Sequence, residues 1–314
     1  MAERILITGG AGFIGTNLIA HLAAHGYRLT VLDRAPRPAL PQGVAYVRGD
    51  VRDPRAVARA LAGADACVHL AAATRVIDSI ADPATSFDVN VQGSLTLLDA
   101  ARTAGVHRFV AASTGGAILG DAPVPVNEAM APAPISPYGA SKLAMEGYLS
   151  AYAGSYGLRA AALRFSNVYG PGSRHKGSVV AVVCNALLAG EPFTIHGDGS
   201  QVRDYLYVGD LVAGIRQALA AGVMGVYQLG SGTPTTLNAL LAGIRDAAGM
   251  ASIPVRHAPF RTGEIHTTYC DIAKAHAAFG FTPETPLTGG LARTWTWFRT
   301  SAAREAGAGV PAAG

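Results

Sequence analysis

A glycine-rich turn near the N-terminus constrains the possible folds of this chain more than any other feature. The apolar run Arg4–Thr8 is typical of a buried parallel strand, and the next segment, 9–15, has glycines at positions 9, 12 and 15. An apolar helical pattern follows and ends near Gly26. Glycines in this context let the backbone approach a pyrophosphate, and the helix N-terminus offers unpaired N–H groups to it. The order strand, turn, helix therefore predicts a dinucleotide-binding unit.

The end of the second predicted strand, 27–33, indicates which dinucleotide is bound. Asp33 closes this strand, where an acidic side chain can accept hydrogen bonds from the adenosine ribose, and this favours NAD. Arg34 and Arg37 follow closely and could favour a 2′-phosphate, so the residues alone leave NADP open.

Strand and helix patterns alternate without interruption through the first half of the chain. Further strands are predicted at 44–50, 66–72, 109–114 and 159–165. The alternation predicts an α/β fold with a doubly wound parallel Rossmann sheet. We expect three parts: a dinucleotide-binding domain at 1–166 that also receives segments around 204–230, a smaller C-terminal α/β substrate-binding lobe mainly at 167–300, and a frayed tail at 301–314.

Three further predictions concern the ends of elements. Asp50 and Val51 end the third strand, where they either touch the adenine of the dinucleotide or leave Asp50 to cap the next helix. An amphipathic helix is expected at 179–189 and should end at Gly190. Asp210 is expected to cap the start of another helix.

Composition and charge exclude several classes of function. Of 314 residues, 50% are apolar and 15% charged, which is typical of a globular enzyme. The net charge is only +4 and there is no run of five or more Lys or Arg, so we expect no nucleic-acid partner. No apolar run approaches the roughly 20 residues of a membrane helix, and the N-terminus does not read as a signal peptide, so we expect no membrane association.

The cysteines and histidines indicate a cytoplasmic protein without a metal. Cys67, Cys184 and Cys270 are far apart and form no C-x-x-C pair, so we expect reduced thiols in the cytoplasm. His21 and His25 are four residues apart, as in some metal sites, but no third ligand accompanies them.

Tyr138 and Lys142 are the first candidate catalytic residues. They are four residues apart in a segment that begins with Ser136 and Pro137 and continues as a helical pattern. On a helix they lie on one face about one turn apart. A neighbouring ammonium lowers the pKa of a phenol from its ordinary value of about 10, so the pair is suited to accept a proton near neutral pH.

The motifs together resemble a known family over about 1–285. They include TGGAGFIG at 8–15, the pair 50–51, LAA at 70–72, NVQG at 90–93, YGASK at 138–142, RFSNVYGP at 164–171, and the segments 197–210 and 261–264. The chain resembles the extended short-chain dehydrogenase/reductase family, and within it the NAD-dependent nucleotide-sugar epimerases and dehydratases.

The resemblance implies a role for each matched residue. Tyr138 would be the catalytic base, Lys142 would hold the nicotinamide ribose, and a hydroxyl on the fifth strand would bind the reacting oxygen, with Thr114 preferred over Ser113. The implied cofactor-binding residues are Gly9, Gly12, Phe13, Ile14, Gly15, Asp33, Arg34, Asp50, Val51, Leu70, Ala71, Ala72, Asn90, Tyr138 and Lys142. The implied substrate-binding residues are Asn167, Arg174, Arg203, Arg261 and Glu264, with Arg174 a candidate to meet a uronate carboxylate.

The resemblance implies NAD-dependent 4-epimerisation of a nucleotide-diphosphate sugar, a UDP-hexose or UDP-hexuronate, through a transient 4-keto intermediate. The 4,6-dehydratases carry an Asp-Glu pair just after the Ser/Thr, whereas this chain has Gly115 and Gly116, so dehydration is not expected. The alternatives are a nucleotide-sugar 4-ketoreductase and a non-catalytic dinucleotide-sensing protein. The resemblance also implies a homodimer formed through helices that start at Asn90 and Tyr138.

Overall fold

A seven-stranded parallel sheet forms the centre of the protein in the computed structural model, which describes residues 2–260 and 265–308. The strands are β1 (Arg4–Thr8), β2 (Arg28–Asp33), β3 (Ala45–Arg48), β4 (Ala66–His69), β5 (Arg108–Thr114), β6 (Arg159–Phe165), β7 (Asn167–Tyr169), β8 (Phe193–His196), β9 (Val202–Tyr207), β10 (Gly225–Leu229), β11 (Pro234–Thr236) and β12 (Val255–Ala258). The central sheet has the order β3-β2-β1-β4-β5-β6-β10. The order reverses between β1 and β4, which is the topology of a doubly wound Rossmann sheet. The predicted fold class is confirmed.

Helices cover both faces of this sheet. They are α1 (Phe13–Ala24), α2 (Pro54–Leu61), α3 (Val76–Ala81), α4 (Pro83–Phe87), α5 (Gly93–Thr103), α6 (Gly115–Leu119), α7 (Pro137–Tyr156), α8 (Val179–Ala189), α9 (Val208–Ala221), α10 (Leu237–Ala248), α11 (Ala273–Phe279) and α12 (Leu287–Ala308), with a π-helical turn at Asp88–Gln92. Side chains of α1, α9 and α11 form one apolar core with the sheet, and those of α2, α5 and α7 form another. Neighbouring β1 residues alternate between the two cores, as strand geometry requires. Within the described residues, no helix is long and apolar enough to cross a membrane.

The smaller lobe has a core of its own. It contains the sheet β11-β9-β7, the pair β12-β8, and the helices α8, α10 and α12, whose apolar faces meet around Leu240, Trp295 and Phe298. The predicted helix at 179–189 is confirmed, and it ends at Gly190 in the left-handed conformation. Helix α12 continues as far as Ala308, so residues 301–308 are helical rather than frayed, and the rest of the expected tail, 309–314, lies outside the described residues.

The cap expected at Asp210 and the cap that was one of two alternatives for Asp50 are both absent, and in each case the carboxylate is bound elsewhere. The N-cap of α2 is Asp53, which accepts from the Arg55 backbone N–H, whereas Asp50 is bound by the Arg52 side chain. Helix α9 begins before Asp210, and the Asp210 carboxylate instead accepts two hydrogen bonds from Thr285.

Helix α7 is attached to the sheet by buried polar groups. Its N-cap Ser136 accepts from the Gly139 backbone N–H, and Pro137 occupies the first turn as expected. Further along, Glu146 receives two hydrogen bonds from Arg164 of β6, at 2.9 and 2.7 Å, and a third from Ser113 of β5 at 2.6 Å. The side chains of the ion pair are only 4% and 5% exposed, so each charge has lost its contact with water and is stabilised by the charge of its partner.

Glu146→Ala should therefore lower the free energy of unfolding by about 3–5 kcal/mol, because it leaves the Arg164 charge buried without its partner. Urea denaturation measures this loss. The control is Asp246→Ala, which breaks the Arg245–Asp246 pair whose side chains are 41% and 66% exposed, and it should cost less than about 1 kcal/mol. Equal losses in the two variants would contradict the structural role assigned to Glu146.

Candidate active site

The glycine-rich turn lies between β1 and α1 and is shaped for an anionic group. Gly9 has a φ of +70°, and a Cβ there would lie 2.7 Å from the Ala71 backbone nitrogen. A Cβ on Gly15 would lie 2.4 Å from the Gly9 carbonyl oxygen, whereas one on Gly12 would meet only that oxygen, at 3.3 Å. The turn thus packs closely on its inner side and stays open at Gly12. The helix starting at Phe13 and Ile14 has no side-chain cap, so its first N–H groups suit a pyrophosphate.

Asp33 lies at the carboxyl end of β2 beside this turn. Its two carboxylate oxygens accept hydrogen bonds from the backbone N–H groups of Ala11 (2.9 Å) and Ala35 (3.0 Å), which hold it in place for a ribose. Of the two nearby arginines, Arg37 donates to the Val44 carbonyl, and Arg34 is exposed with its guanidinium 3.8 Å from the Asp50 carboxylate. The residues of this cofactor site therefore fit NAD, with its free 2′-hydroxyl.

The remaining predicted cofactor residues surround the next strand ends. Leu70, Ala71 and Ala72 follow β4 and are half-buried, and Val51 is buried. Asn90, in the π-helical turn, uses its side-chain amide within the protein: it binds both backbone groups of Ala73 and donates to Ser141 Oγ at 2.9 Å. Asn90 thus joins the loop after β4 to α7.

Tyr138 and Lys142 lie in the first turns of α7. The Lys142 ammonium donates to the Ala112 carbonyl oxygen of β5 at 2.8 Å, and its side chain is almost completely buried. Burial lowers the pKa of Lys142 to about 8, although Glu146 acts in the opposite direction. Burial raises the pKa of Tyr138 to about 12. The expected lowering of the Tyr138 pKa by Lys142 is therefore not observed here, because burial of the phenol dominates.

A cavity of about 380 Å³ opens beside Tyr138, between the strand ends and the smaller lobe. Thr114, the last residue of β5, lines it. Ser113 points elsewhere, since its hydroxyl donates to the buried Glu146 carboxylate. Because neighbouring strand residues face opposite sides of a sheet, only one of these two hydroxyls reaches the cavity. The geometry favours Thr114.

The predicted substrate residues are only partly brought together. Asn167 and Arg203 line the cavity, and the Arg203 guanidinium donates to the carbonyl oxygens of Val202, Ile265 and His266. Arg174 lies outside the cavity and pairs with Glu305 of α12 at 2.8 Å, so the structure does not support its expected contact with a uronate. The other two predicted residues, Arg261 and Glu264, lie outside the described residues.

The cavity also contains residues that the sequence reasoning did not single out. Asp204 is buried and accepts hydrogen bonds from Ser231, the Gly232 backbone and Cys270 Sγ, which holds these lobe segments together. Burial raises the pKa of the Cys270 thiol, so it is not a nucleophile. Gln228 also lines the cavity. The sequence did contain one indication of this position, because Gln228 is a polar residue inside an otherwise apolar strand.

Metal chemistry finds no support among the described residues. No group of three or more His, Cys, Asp or Glu side chains in 2–260 and 265–308 could hold an ion. The ring of His21 instead receives a hydrogen bond from Arg216 of α9.

The fold and this site define a dinucleotide-dependent enzyme with a tyrosine–lysine pair at the carboxyl edge of a parallel sheet. The chain belongs to the NAD-dependent epimerase/dehydratase family, whose model matches residues 5–230. The predicted family and the predicted NAD cofactor are confirmed, and so is the prediction of an epimerase-type enzyme.

Individual relatives are similar over nearly the whole chain. A UDP-glucose 4-epimerase of Mycolicibacterium smegmatis is 37% identical over 94% of this chain and 98% of the relative. A dTDP-glucose 4,6-dehydratase of Streptomyces antibioticus is 35% identical over 99% of both chains. The crystal structure of UDP-glucose 4-epimerase with UDP-glucose from Thermotoga maritima has a TM-score of 0.90 and 36% identity, covering 96% of this chain and 100% of that one.

Lys142→Met should make stability less dependent on pH. The folded pKa of Lys142, about 8, lies below its ordinary value of 10.5, so the unfolded chain binds more protons between these values. The free energy of unfolding of the wild type should therefore rise relative to the variant by about 1.4 kcal/mol per pH unit within this window. Urea denaturation between about pH 8 and pH 10 measures this change. Parallel pH dependences for wild type and variant would contradict the expectation, and Lys274→Met, at an exposed lysine, is the control.

Proposed function

We propose that this protein interconverts the C4 epimers of a UDP-linked neutral hexose, UDP-glucose and UDP-galactose. The observation that carries the proposal is the cavity in which Thr114 and Tyr138 meet while glycines occupy positions 115 and 116. This arrangement supplies a proton acceptor and a hydroxyl for one reacting oxygen. It supplies no acid directly after Thr114.

The chain's residues act on the 4-hydroxyl of the sugar. Tyr138, as phenolate, takes the proton of this hydroxyl, and Thr114 hydrogen-bonds the oxygen while its charge changes. Lys142 carries a charge at neutral pH, since its pKa is about 8. Because burial raises the pKa of Tyr138 to about 12, the phenol needs this neighbouring charge in the substrate complex to lose its proton. NAD, which the glycine-rich turn and Asp33 would hold, would supply the acceptor and donor of the C4 hydride. Tyr138 then gives the proton back to the product.

The shape of the cavity suits a sugar that is presented by either face. Gly115, Gly116 and Ala117 form one part of its lining, so this wall has almost no side chains. Asn167 and Arg203 lie on the lobe side, where they are placed to hold the diphosphate while the 4-keto sugar turns.

The absence of an acid pair argues against the dehydratase reaction of other family members. A 4,6-dehydration must protonate a leaving hydroxyl, and Gly115 and Gly116 have no side chain to do so. A 4-ketoreductase would use the same residues but would consume reduced cofactor. A purely sensing role is disfavoured because Tyr138 lines the cavity and Lys142 is present one turn further along the same helix.

The charged side chains that line the cavity fit a neutral sugar better than a negatively charged uronate. Among the described residues that line the cavity, Arg203 is the only cation, and the proposed function assigns it to the diphosphate rather than to the sugar. Arg174 is paired with Glu305 away from the cavity. UDP-glucuronate therefore stays the second candidate substrate.

The purified protein should convert UDP-glucose into UDP-galactose without build-up of reduced nicotinamide. NMR of the anomeric and H4 protons resolves the products, with UDP-glucuronate and UDP-N-acetylglucosamine assayed in parallel. If a 4-keto sugar is turned over only with added reduced cofactor, the protein is a reductase, and if UDP-sugars bind without turnover it is a sensing protein.

The same assay tests the residues in matched pairs. Tyr138→Phe should lower kcat at least about 100-fold, because it removes the base and leaves the ring. Thr114→Val should lower kcat, whereas Ser113→Ala should leave it largely unchanged, because Ser113 faces Glu146. The opposite order for the two hydroxyl variants would move the role to Ser113.

We also propose a homodimer formed through α5 and α7. Phe87, Tyr148 and Tyr156 are large apolar side chains exposed at or next to these helices, and an exposed apolar surface of this kind is typical of an interface. Tyr148→Glu should shift the protein to monomer in sedimentation velocity. Val182→Glu, at an exposed apolar position of α8, should leave the dimer intact. A monomeric wild type would refute the proposal.

We place the protein in the cytoplasm. Cys67, Cys184 and Cys270 are all buried free thiols, and such thiols are typical of a reducing compartment.

A further inference from the structure

Gln228 carries hydrogen-bonding groups that the proposed reaction does not use. It lies on β10, is 0% exposed, and lines the cavity with Thr114 and Tyr138. Its backbone N–H is bound by Glu128, but neither atom of its side-chain amide has a partner among the described residues. Buried amide groups are nearly always hydrogen-bonded in native proteins, since an unpaired one costs stability. Both amide atoms are fully buried, so a group that enters the cavity supplies the missing bonds only when the Gln228 side chain turns toward it.

Gly115 determines where this amide lies. A Cβ on Gly115 would be 2.6 Å from Gln228 Oε1 and 3.3 Å from Nε2, so any side chain at 115 would displace Gln228. The Gln228 amide therefore fills the space that a side chain at position 115 would need. Position 115 directly follows Thr114 in the sequence. Ser166, whose Oγ also has no partner among the described residues, lines the same cavity.

We propose that the Gln228 amide binds a sugar hydroxyl beside the reacting C4, that on C3 or that on C6. This inference rests on the proposed function, which puts the C4 oxygen at Thr114 and Tyr138. An amide both donates and accepts, and a hydroxyl needs the same pair of partners. The amide is also neutral and does not exchange protons as an acid would, so it orients the sugar without helping a hydroxyl to leave. Gln228 thereby acts in substrate binding and specificity.

The test compares Gln228→Met with wild type on UDP-glucose, UDP-3-deoxyglucose and UDP-6-deoxyglucose. Met keeps the length and volume of the side chain but removes both hydrogen-bonding groups. We expect kcat/KM on UDP-glucose to fall about 10- to 100-fold, and the loss to shrink below about 3-fold on the one analogue that lacks the bound hydroxyl. The matched control is Gln201→Met, a second glutamine with a buried unpartnered Oε1 but outside this cavity lining, and it should show no substrate-dependent loss.

A stability measurement separates substrate binding from a structural role. Without substrate, Gln228→Met should unfold at the same temperature as wild type or higher, because it removes an unpaired buried amide. A destabilised variant, or an equal loss of kcat/KM on all three sugars, overturns the inference and leaves the proposed function standing if the wild type is active. A wild type that epimerises none of the UDP-sugars removes the proposed function and this inference together.

Discussion

The buried ion pair between Glu146 and Arg164 is the interaction on which the geometry of the site depends. It joins the middle of α7 to β6, and Ser113 of β5 donates to the same carboxylate. Because each charge has been removed from water, a shift of the helix along the sheet would leave a charge without compensation. One turn earlier on the same helix Lys142 donates to a β5 carbonyl, and one turn before that Tyr138 reaches the cavity. The ion pair therefore sets the position of Tyr138 and Lys142, to which the proposed function assigns the proton transfer.

A second buried polar chain connects the cofactor turn to α7. His69 contacts Thr8 Oγ1 through Nδ1 and Ser94 Oγ through Nε2, and Ser94 in turn donates to the Asn90 carbonyl. Since the single Ser94 hydrogen is used there, Nε2–H must donate to Ser94 and Nδ1 must accept from Thr8. Burial lowers the pKa of His69 to about 3, so the ring stays neutral and keeps this tautomer. Asn90 continues the chain to Ser141 of α7, so the glycine-rich turn and α7 are held by one network.

The sequence predicted the parts of the site that lie within one short segment. It did not predict which of two nearby residues of similar type takes a given role, because that depends on distant parts of the chain. The turn at 9–15 and Asp33 follow from one strand–turn–helix unit. Asp50 and Asp53 are equally good caps by type, and the side chain of Arg52, which binds Asp50, leaves the cap to Asp53. Ser113 and Thr114 differ only in the face of β5 that they occupy, and the position of the cavity decides between them.

The sequence by itself determined the α/β class, the dinucleotide turn and the Tyr138–Lys142 pair, because periodicity and spacing are properties of short segments. Only the tertiary structure decided which groups are buried and paired, because those properties depend on residues from distant parts of the chain. It raises the pKa of Tyr138 by burial and pairs Arg174 with Glu305 rather than with a ligand. It also brings Gln228 into the space that Gly115 leaves open, and no spacing in the sequence connects these two residues.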